Sequence, residues 1–342
     1  MRVLAPKTLE LKLDKKDWRI LSEYVANVRQ PLSQIAKSSL LSRQSVEYRI
    51  NQLKKNKLIT GSRSVINNRK LGYQSYHVFV EVNVPREEKE LIKRAEEAKY
   101  VNAIIVYSGK YNIEISIMAR DDDEFLKYYA ELVNRIKIRE DHVLVLKQTV
   151  VSEVLPQKYF PELKKLHQEK NKVTVIKKSK EKEPKQLDKT DLKLLYSLSR
   201  DASITNFSLA KELNISKDTV SYRIQKLERE KYLIEYRPVI NFSVLGLSIN
   251  SLLIKLNYFP EEMALFEQHI KNNGSILWAT RTFGYYDYLI YVITKDLEEF
   301  HEVINSFKAK FENLIKTYEI LFAFEELKYN FMAESLIEDK RK

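Results

Sequence analysis

Cysteine is absent from the 342 residues, which removes disulfides, thiolate nucleophiles and every cysteine-held zinc site. Glycine is scarce. Six glycines stand at 61, 72, 109, 246, 274 and 284, the closest two ten residues apart, so no glycine-rich loop can cradle a phosphate. Histidine occurs at 77, 142, 167, 269 and 301, never at the three- or four-residue spacing of a helical metal site. No metal and no cofactor is therefore expected. Long uncharged apolar runs are also lacking, which excludes a membrane-spanning helix. The opening MRVLAPKTLELKL has no continuous hydrophobic stretch, so it is not read as a signal peptide and a cytoplasmic location is expected.

What the chain does have is enough apolar matter for several cores, 44% of residues with 11% aromatic, in a length suited to two to four domains. The formal net charge of +12 favours a polyanionic partner. That charge is unevenly placed. Residues 14–67 carry +7, residues 188–241 carry +2 and the lysine-rich stretch 164–185 carries +6. The rest of the chain is slightly acidic.

Sliding the sequence on itself by 174 residues superposes LDKKDWRIL (13–21) on LDKTDLKLL (187–195), and 20 of the 60 positions from 13 to 72 are identical. Tyr48, Arg49 and Ile50 fall on Tyr222, Arg223 and Ile224. Farther on, SGKYNIEISIMARDDDEF (108–125) matches FGYYDYLIYVITKDLEEF (283–300) at offset 175. The period is far longer than a solenoid repeat of roughly 20–50 residues, so the whole unit is duplicated in tandem.

Each copy begins with three short helices. After Asp14, apolar residues recur at helical spacing from Trp18 to Val25; a second helix covers 32–38; Ser42 caps a third, RQSVEYRINQLKK. Copy two has NFSLAKEL and then Ser216 capping KDTVSYRIQKLEREK. This is a helix-turn-helix, and ITGSRSVIN and LIEYRPVIN read as its two-stranded wing. On the third helix Val46, Ile50 and Leu53 form one stripe facing the core. The outer side carries Gln44, Tyr48, Asn51 and Lys55, against Asp218, Tyr222, Gln225 and Arg229 in copy two. Such a surface can enter a DNA major groove, where amides read adenine edges. Ser42, Arg43, Gln44, Ser45, Tyr48 and Arg49, with Ser216, Lys217, Asp218, Thr219, Tyr222 and Arg223, are the predicted DNA-facing residues. Gln44, Ser45 and Tyr48 are assigned to bases, and Arg43, Arg49, Lys217 and Arg223 to phosphate. The swap of Gln44 for Asp218, with +7 against +2, predicts a stronger grip by copy one.

Each copy ends in strands and helices ordered βαββαβ, through 75–84, 86–99, 103–108, 111–119, DDDEFLKYYAELVNRI and HVLVLKQTVV, and again through 249–325. The predicted class is α+β: two winged helix-turn-helix domains and two ferredoxin-like βαββαβ domains, each sheet covered by helices on one face and by the other sheet on the second. Expected bounds are 1–68, 69–155, a lysine-rich linker 156–186, then 187–242, 243–330 and a tail 331–342.

LDKKD and LDKTD, SRQSVEYRINQLKK and SKDTVSYRIQKLERE, RSVINNRKLGY and RPVINFSVLGL, and SGKYN and FGYYDY together resemble the Lrp/AsnC family of transcription regulators, over nearly the whole chain and twice. The resemblance implies an N-terminal DNA-binding winged helix-turn-helix, a C-terminal domain that dimerises and often senses amino acids, and here a covalent pseudo-dimer open to higher homo-oligomers. It also points to a glycine-x-x-aspartate turn as the effector site. That turn reads Gly284-Tyr285-Tyr286-Asp287 in copy two but Gly109-Lys110-Tyr111-Asn112 in copy one, without the carboxylate. Plain hairpin roles for these residues are an equal alternative. Siroheme decarboxylases share the two-module plan, but the histidine-asparagine-tyrosine cluster that marks them is missing from VYSGKYN and TRTFGYYD. The expectation is a sequence-specific regulator of double-stranded DNA, with a small-molecule effector as a further partner and no enzymatic activity. The alternatives are a sequence-indifferent architectural protein and, behind it, a siroheme-decarboxylase-like enzyme.

Overall fold

The computed structural model describes residues 2–3, 11–160, 187–258 and 260–338, so the expected linker from 161 to 186 and the last four residues of the expected tail lie outside the described residues. No helix among the described residues is long and apolar enough to cross a membrane.

The first module is α1 (Lys15–Ala26), α2 (Leu32–Ser39), α3 (Arg43–Lys55) and one strand, β2 (Ile59–Ile66), after a two-residue strand β1 (Arg2–Val3). Its repeat is α6 (Lys189–Arg200), α7 (Asn206–Leu213), α8 (Lys217–Arg229) and β7 (Leu233–Ile240). Helix starts follow from capping carboxylates and hydroxyls, which accept the otherwise unpaired first-turn amides. Asp14 and Asp17 form a reciprocal capping box on α1, and Asp188 caps α6. The tight turn before each third helix uses a left-handed residue, Leu40 at φ 56° and Asn214 at φ 54°. Val46, Ile50 and Leu53, and their counterparts Val220, Ile224 and Leu227, are buried as the periodicity predicts.

The wing departs from the expectation. Each module supplies a single strand, and β2 pairs antiparallel with β7 of the other copy, Arg63 opposite Arg237. A two-stranded sheet therefore belongs to both modules at once. Further bonds brace the modules: Arg29 donates to the carbonyls of Ala202 (3.1 Å) and Ile204 (2.8 Å), and Ser62 Oγ donates to Asp201 at 2.8 Å.

The second halves comprise β3 (Gln74–Glu81), α4 (Pro85–Glu97), β4 (Val101–Ser108), β5 (Ile113–Ala119), α5 (Asp122–Val133) and β6 (Glu140–Ser152). Copy two repeats them as β8 (Ser248–Leu256), α9 (Pro260–Asn272), β9 (Ile276–Gly284), β10 (Tyr288–Thr294), α10 (Leu297–Lys310) and β11 (Ile315–Tyr329). The expected βαββαβ order is present, but the expected pair of separate ferredoxin-like sheets stacked face to face is not. The strands run β11-β4-β5-β3-β6-β9-β10-β8 and β8 pairs back onto β11, closing one eight-stranded barrel. Closure comes from the last strand of each copy. β6, 13 residues long, pairs with β3 on one side and β9 on the other; β11, 15 residues long, joins β8 to β4. Because every strand of the barrel has a neighbour on each side, the barrel itself has no open edge among the described residues.

Three apolar clusters result. Two lie between the barrel and its outer helices, around Leu91 and Phe125 in copy one and around Phe266 and Phe307 in copy two. The third runs without a break from both helix-turn-helix cores into the barrel interior. The described part of the expected tail is folded, with Met332, Ala333 and Leu336 buried, and Phe160 at the edge of the expected linker packs on Trp18 at 4.5 Å.

Candidate nucleic-acid interface

Both third helices present their outer sides to solvent. Ser42, Arg43 and Gln44 are exposed, Ser45 is half-buried, and Tyr48 is 65% exposed; Ser216, Lys217, Asp218, Thr219 and Tyr222 repeat that pattern, Tyr222 again at 65%. Two related helices thus carry an exposed tyrosine at the same outward position. Ser42 Oγ accepts from the amide of Ser45 at 3.1 Å and Ser216 Oγ from that of Thr219 at 3.0 Å. These two serines are therefore occupied as helix caps.

Arg49 and Arg223, assigned to phosphate on the sequence, are engaged within the protein. Arg49 Nη1 donates to Asp14 at 2.8 Å and Asp17 at 2.6 Å, while Arg223 Nη1 donates to Asp188 and Asp191, both at 2.7 Å. Each guanidinium fastens the third helix to the N-terminal cap of the first. The Asp14 carboxyl is held below its ordinary range by the amide of Asp17 and by Arg49; for Asp188, partial burial pushes upward but the Asp191 amide and Arg223 prevail. Paired charges also stabilise the protonated guanidiniums.

The four turn residues expected at an effector site have structural tasks. Gly109 and Gly284 take φ of +147° and +149°, and side chains there would press on the Ile320 and Val143 carbonyls across the neighbouring strands. Asn112 Oδ1 accepts from the Val82 amide at 2.9 Å, and Asp287 Oδ2 accepts from the equivalent Leu256 amide at 2.8 Å. The same acceptor thus serves the turn in both copies, while Asn112 Nδ2 in addition donates to the Val82 carbonyl at 2.9 Å and to Glu88 at 2.8 Å. The tyrosines between them, Tyr111 and Tyr286, meet inside the barrel with hydroxyls 3.4 Å apart.

Two features escaped the sequence reading. The first is a polar cluster inside the barrel. Glu114, 2% exposed, accepts from Tyr291 at 3.0 Å and from Tyr107, and contacts His77 Nδ1 at 2.5 Å; His77 Nε2 lies 3.1 Å from Ser116, and Tyr107 2.8 Å from Ser251. Burial pushes both phenols well above their ordinary range. The readable signal was a glutamate and a serine alternating on the inward side of IEISIMA, where copy two has Leu289 and Tyr291. The second is a cavity of about 350 Å³ at the barrel mouth, floored by residues of all eight strands and roofed by the shared wing sheet with Arg63 and Arg237.

Comparison with known proteins agrees with this division. The model of a winged helix-turn-helix DNA-binding family matches residues 13–60 and again 187–234, and that of the Lrp/AsnC ligand binding domain matches 252–332. The chain is 26% identical over 134 residues to the leucine-responsive regulatory protein of Haemophilus influenzae, spanning 38% of this chain and 80% of the relative. It is 28% identical over 149 residues to the DNA-binding transcriptional activator DecR of Escherichia coli, 42% of this chain and 95% of the relative. An uncharacterised helix-turn-helix regulator of Pyrococcus abyssi is 27% identical over 130 residues, 38% and 87% of the two chains. Among solved structures, the siroheme decarboxylase NirDL superposes with a TM-score of 0.63 over 95% of this chain and 96% of its own at 12% identity, a likeness of fold. The DNA-binding model found twice, the ligand-binding model in the second half and the paired architecture lead to one conclusion: the chain belongs to the Lrp/AsnC family, with its two-domain unit duplicated in tandem.

Proposed function

We propose that the protein is a transcription regulator that binds double-stranded DNA in a sequence-specific manner as a covalent pseudo-dimer. The observation that carries the reading is the matched exposure of Tyr48 and Tyr222 on two capped third helices, with Gln44 and Asp218 exposed beside them. Gln44, Ser45 and Tyr48 touch bases, and Arg43 and Lys217 touch phosphate. Arg49 and Arg223 act at one remove, holding each third helix on its module. The shared wing sheet fixes the two modules relative to each other, so half-sites fall about one helical turn or a multiple apart. Because Gln44 stands where Asp218 stands in the second module, the half-sites differ. A titration of one duplex against random-sequence competitor at several salt concentrations tests this. A specific regulator prefers its site by roughly a thousandfold or more, whereas an architectural protein shows a salt slope with little sequence preference.

The reading is non-enzymatic, inside the cell, with a small molecule as effector. Its support against tetrapyrrole chemistry is the missing histidine-asparagine-tyrosine cluster and relatives that are regulators. Addition of haem checks it: an unchanged Soret band is expected, and a shifted band with turnover would replace the reading.

A further inference from the structure

We propose that Arg29 is a positioning residue for DNA recognition: by tying the turn between α1 and α2 to the start of α7, it holds the two third helices at one separation and restricts the chain to a single half-site spacing. The inference rests on the DNA-binding reading and deepens it, naming what sets the geometry of the site.

The two helix-turn-helix modules meet about a pseudo-two-fold axis, and backbone bonds between them recur in matched pairs. The Val28 amide donates to the Tyr236 carbonyl at 3.3 Å and the Ala202 amide to the Ser62 carbonyl at 3.2 Å; the Asn67 amide donates to the Tyr232 carbonyl at 2.9 Å and the Asn241 amide to the Leu58 carbonyl at 2.8 Å. Within each pair the residues are related by the offset of 174.

Arg29 breaks that symmetry. Its guanidinium reaches from copy one into copy two, where Nη1 donates to the carbonyls of Ala202 at 3.1 Å and Ile204 at 2.8 Å and Nη2 donates to Asn206 Oδ1 at 2.6 Å. It also stands over the Tyr236 ring, 5.3 Å from the centroid. The equivalent donor position in copy two is Ser203, whose hydroxyl turns back to Asp201 of its own turn at 2.6 Å, and the equivalent acceptor position in copy one is Leu32. The residue types differ at both ends, so the contact exists in one direction.

Its place matters for the reading helices. The shared ribbon joins the modules along β2 and β7, and two strands alone make a marginal sheet. Arg29 ties the modules at a second place, between the turns that precede α2 and α7, and each of those helices leads through its left-handed turn residue into a third helix. Moving one half-site by a base pair shifts it about 3.4 Å along the duplex and turns it by about 35°. To follow, the modules would have to rotate against each other, and a planar guanidinium fork making three charge-assisted bonds resists that rotation.

The chain has no cysteine, so spin labels on Lys55→Cys and Arg229→Cys, exposed positions on α3 and α8 related by the same offset, report the separation of the third helices in the full chain without DNA. One narrow distance is expected with Arg29 in place, and a broadened or displaced one in Arg29→Ala. An unchanged distribution overturns the proposal whatever becomes of the DNA-binding reading. In unlabelled protein, duplexes carrying selected half-sites at the preferred spacing, and with one base pair added or removed, should differ in affinity by about tenfold or more, and Arg29→Ala should shrink that ratio to about threefold or less. Arg29→Lys keeps the charge without the fork and should behave as Arg29→Ala. Lysine that restores the parent ratio, or a ratio unchanged in both variants, overturns the proposal. Should Arg29→Ala fail to fold, Asn206→Leu is read in its place, since it puts the copy-one residue into copy two and leaves the arginine intact: a smaller ratio and a looser distance support the lock, and parent values overturn it. A parent chain with no preferred sequence at any spacing contradicts the DNA-binding reading instead, and the label distances then decide whether Arg29 locks the modules.

Discussion

Arg49 Nη1 lies 2.6 Å from Asp17 Oδ1, joining the middle of the exposed third helix to the first turn of α1, and Arg223 repeats the contact with Asp191 at 2.7 Å. The copies differ in what the arginine shields. The Asp17 side chain is 17% exposed and that of Asp191 only 1%. Loss of Arg223 therefore leaves a buried carboxyl whose remaining ion pair among the described residues is with Lys226, at 3.5 Å.

Arg223→Ala is expected to destabilise the protein by about 2–3 kcal/mol and Arg49→Ala by about 1 kcal/mol, measured by chemical unfolding. In DNA titrations Arg43→Ala should reduce the salt slope by about one, while Arg49→Ala should change affinity through helix placement and leave the slope alone. A slope reduced equally by both variants would return Arg49 to the phosphate.

Asp287→Asn tests whether the turn carboxylate has any task beyond its hairpin. Asn112 already shows an amide accepting the equivalent strand-end hydrogen bond in copy one. The unfolding midpoint should move by less than about 1 kcal/mol equivalent. Gly284→Ala should cost more, about 1–3 kcal/mol or above, because a methyl group there collides with the Val143 carbonyl at a positive φ. Equal and small effects from both changes would contradict the structural role.

Acid stability should carry the mark of Glu124. The Arg120 guanidinium, 2.6 Å away, together with the Arg120 amide, holds this carboxyl at about 2, against an ordinary 4.5. A carboxyl more acidic in the folded than in the unfolded chain contributes stability that is complete above pH 4.5 and is lost as pH falls toward 2. Glu124→Gln should lower stability at neutral pH and flatten its decline across that window. A decline as steep as in the parent protein would assign the acid sensitivity to other groups.

Exchange of the reading residue should redirect specificity. Gln44→Asp gives the first module the acid of the second, replacing an adenine reader by a group that accepts from cytosine. The preferred base at that half-site should change by about tenfold or more in relative affinity, and overall binding should weaken as an acid approaches phosphate. Uniform weakening with an unchanged base order would remove Gln44 from the base-reading set.

Much of the fold was legible because it is local. Helical spacing placed α1, α3, α6 and α8 to within a few residues, and alternation placed β3 and β8. What remained hidden depends on partners far apart in sequence. Nothing in HVLVLKQTVV announces that its strand must pair with β9 of the other copy, nor in ITGSRSVIN that its partner is 174 residues away. The site divides in the same way. The exposed faces of α3 and α8 followed from helix geometry, whereas the engagement of Arg49 needed the approach of Asp14 and Asp17. That link had a readable trace: Asp14, Asp17 and Arg49 recur together as Asp188, Asp191 and Arg223. The cavity had none, since its floor is drawn from all eight barrel strands and its roof from the shared wing sheet, which only folding brings together.

Selection of bound fragments from a random duplex pool probes the central claim most directly. Two inequivalent third helices on a shared wing sheet should enrich one imperfectly symmetric site, its two unlike halves separated by about one helical turn or a multiple. A pool recovered with no sequence preference, or no retained duplex at all, would contradict the account.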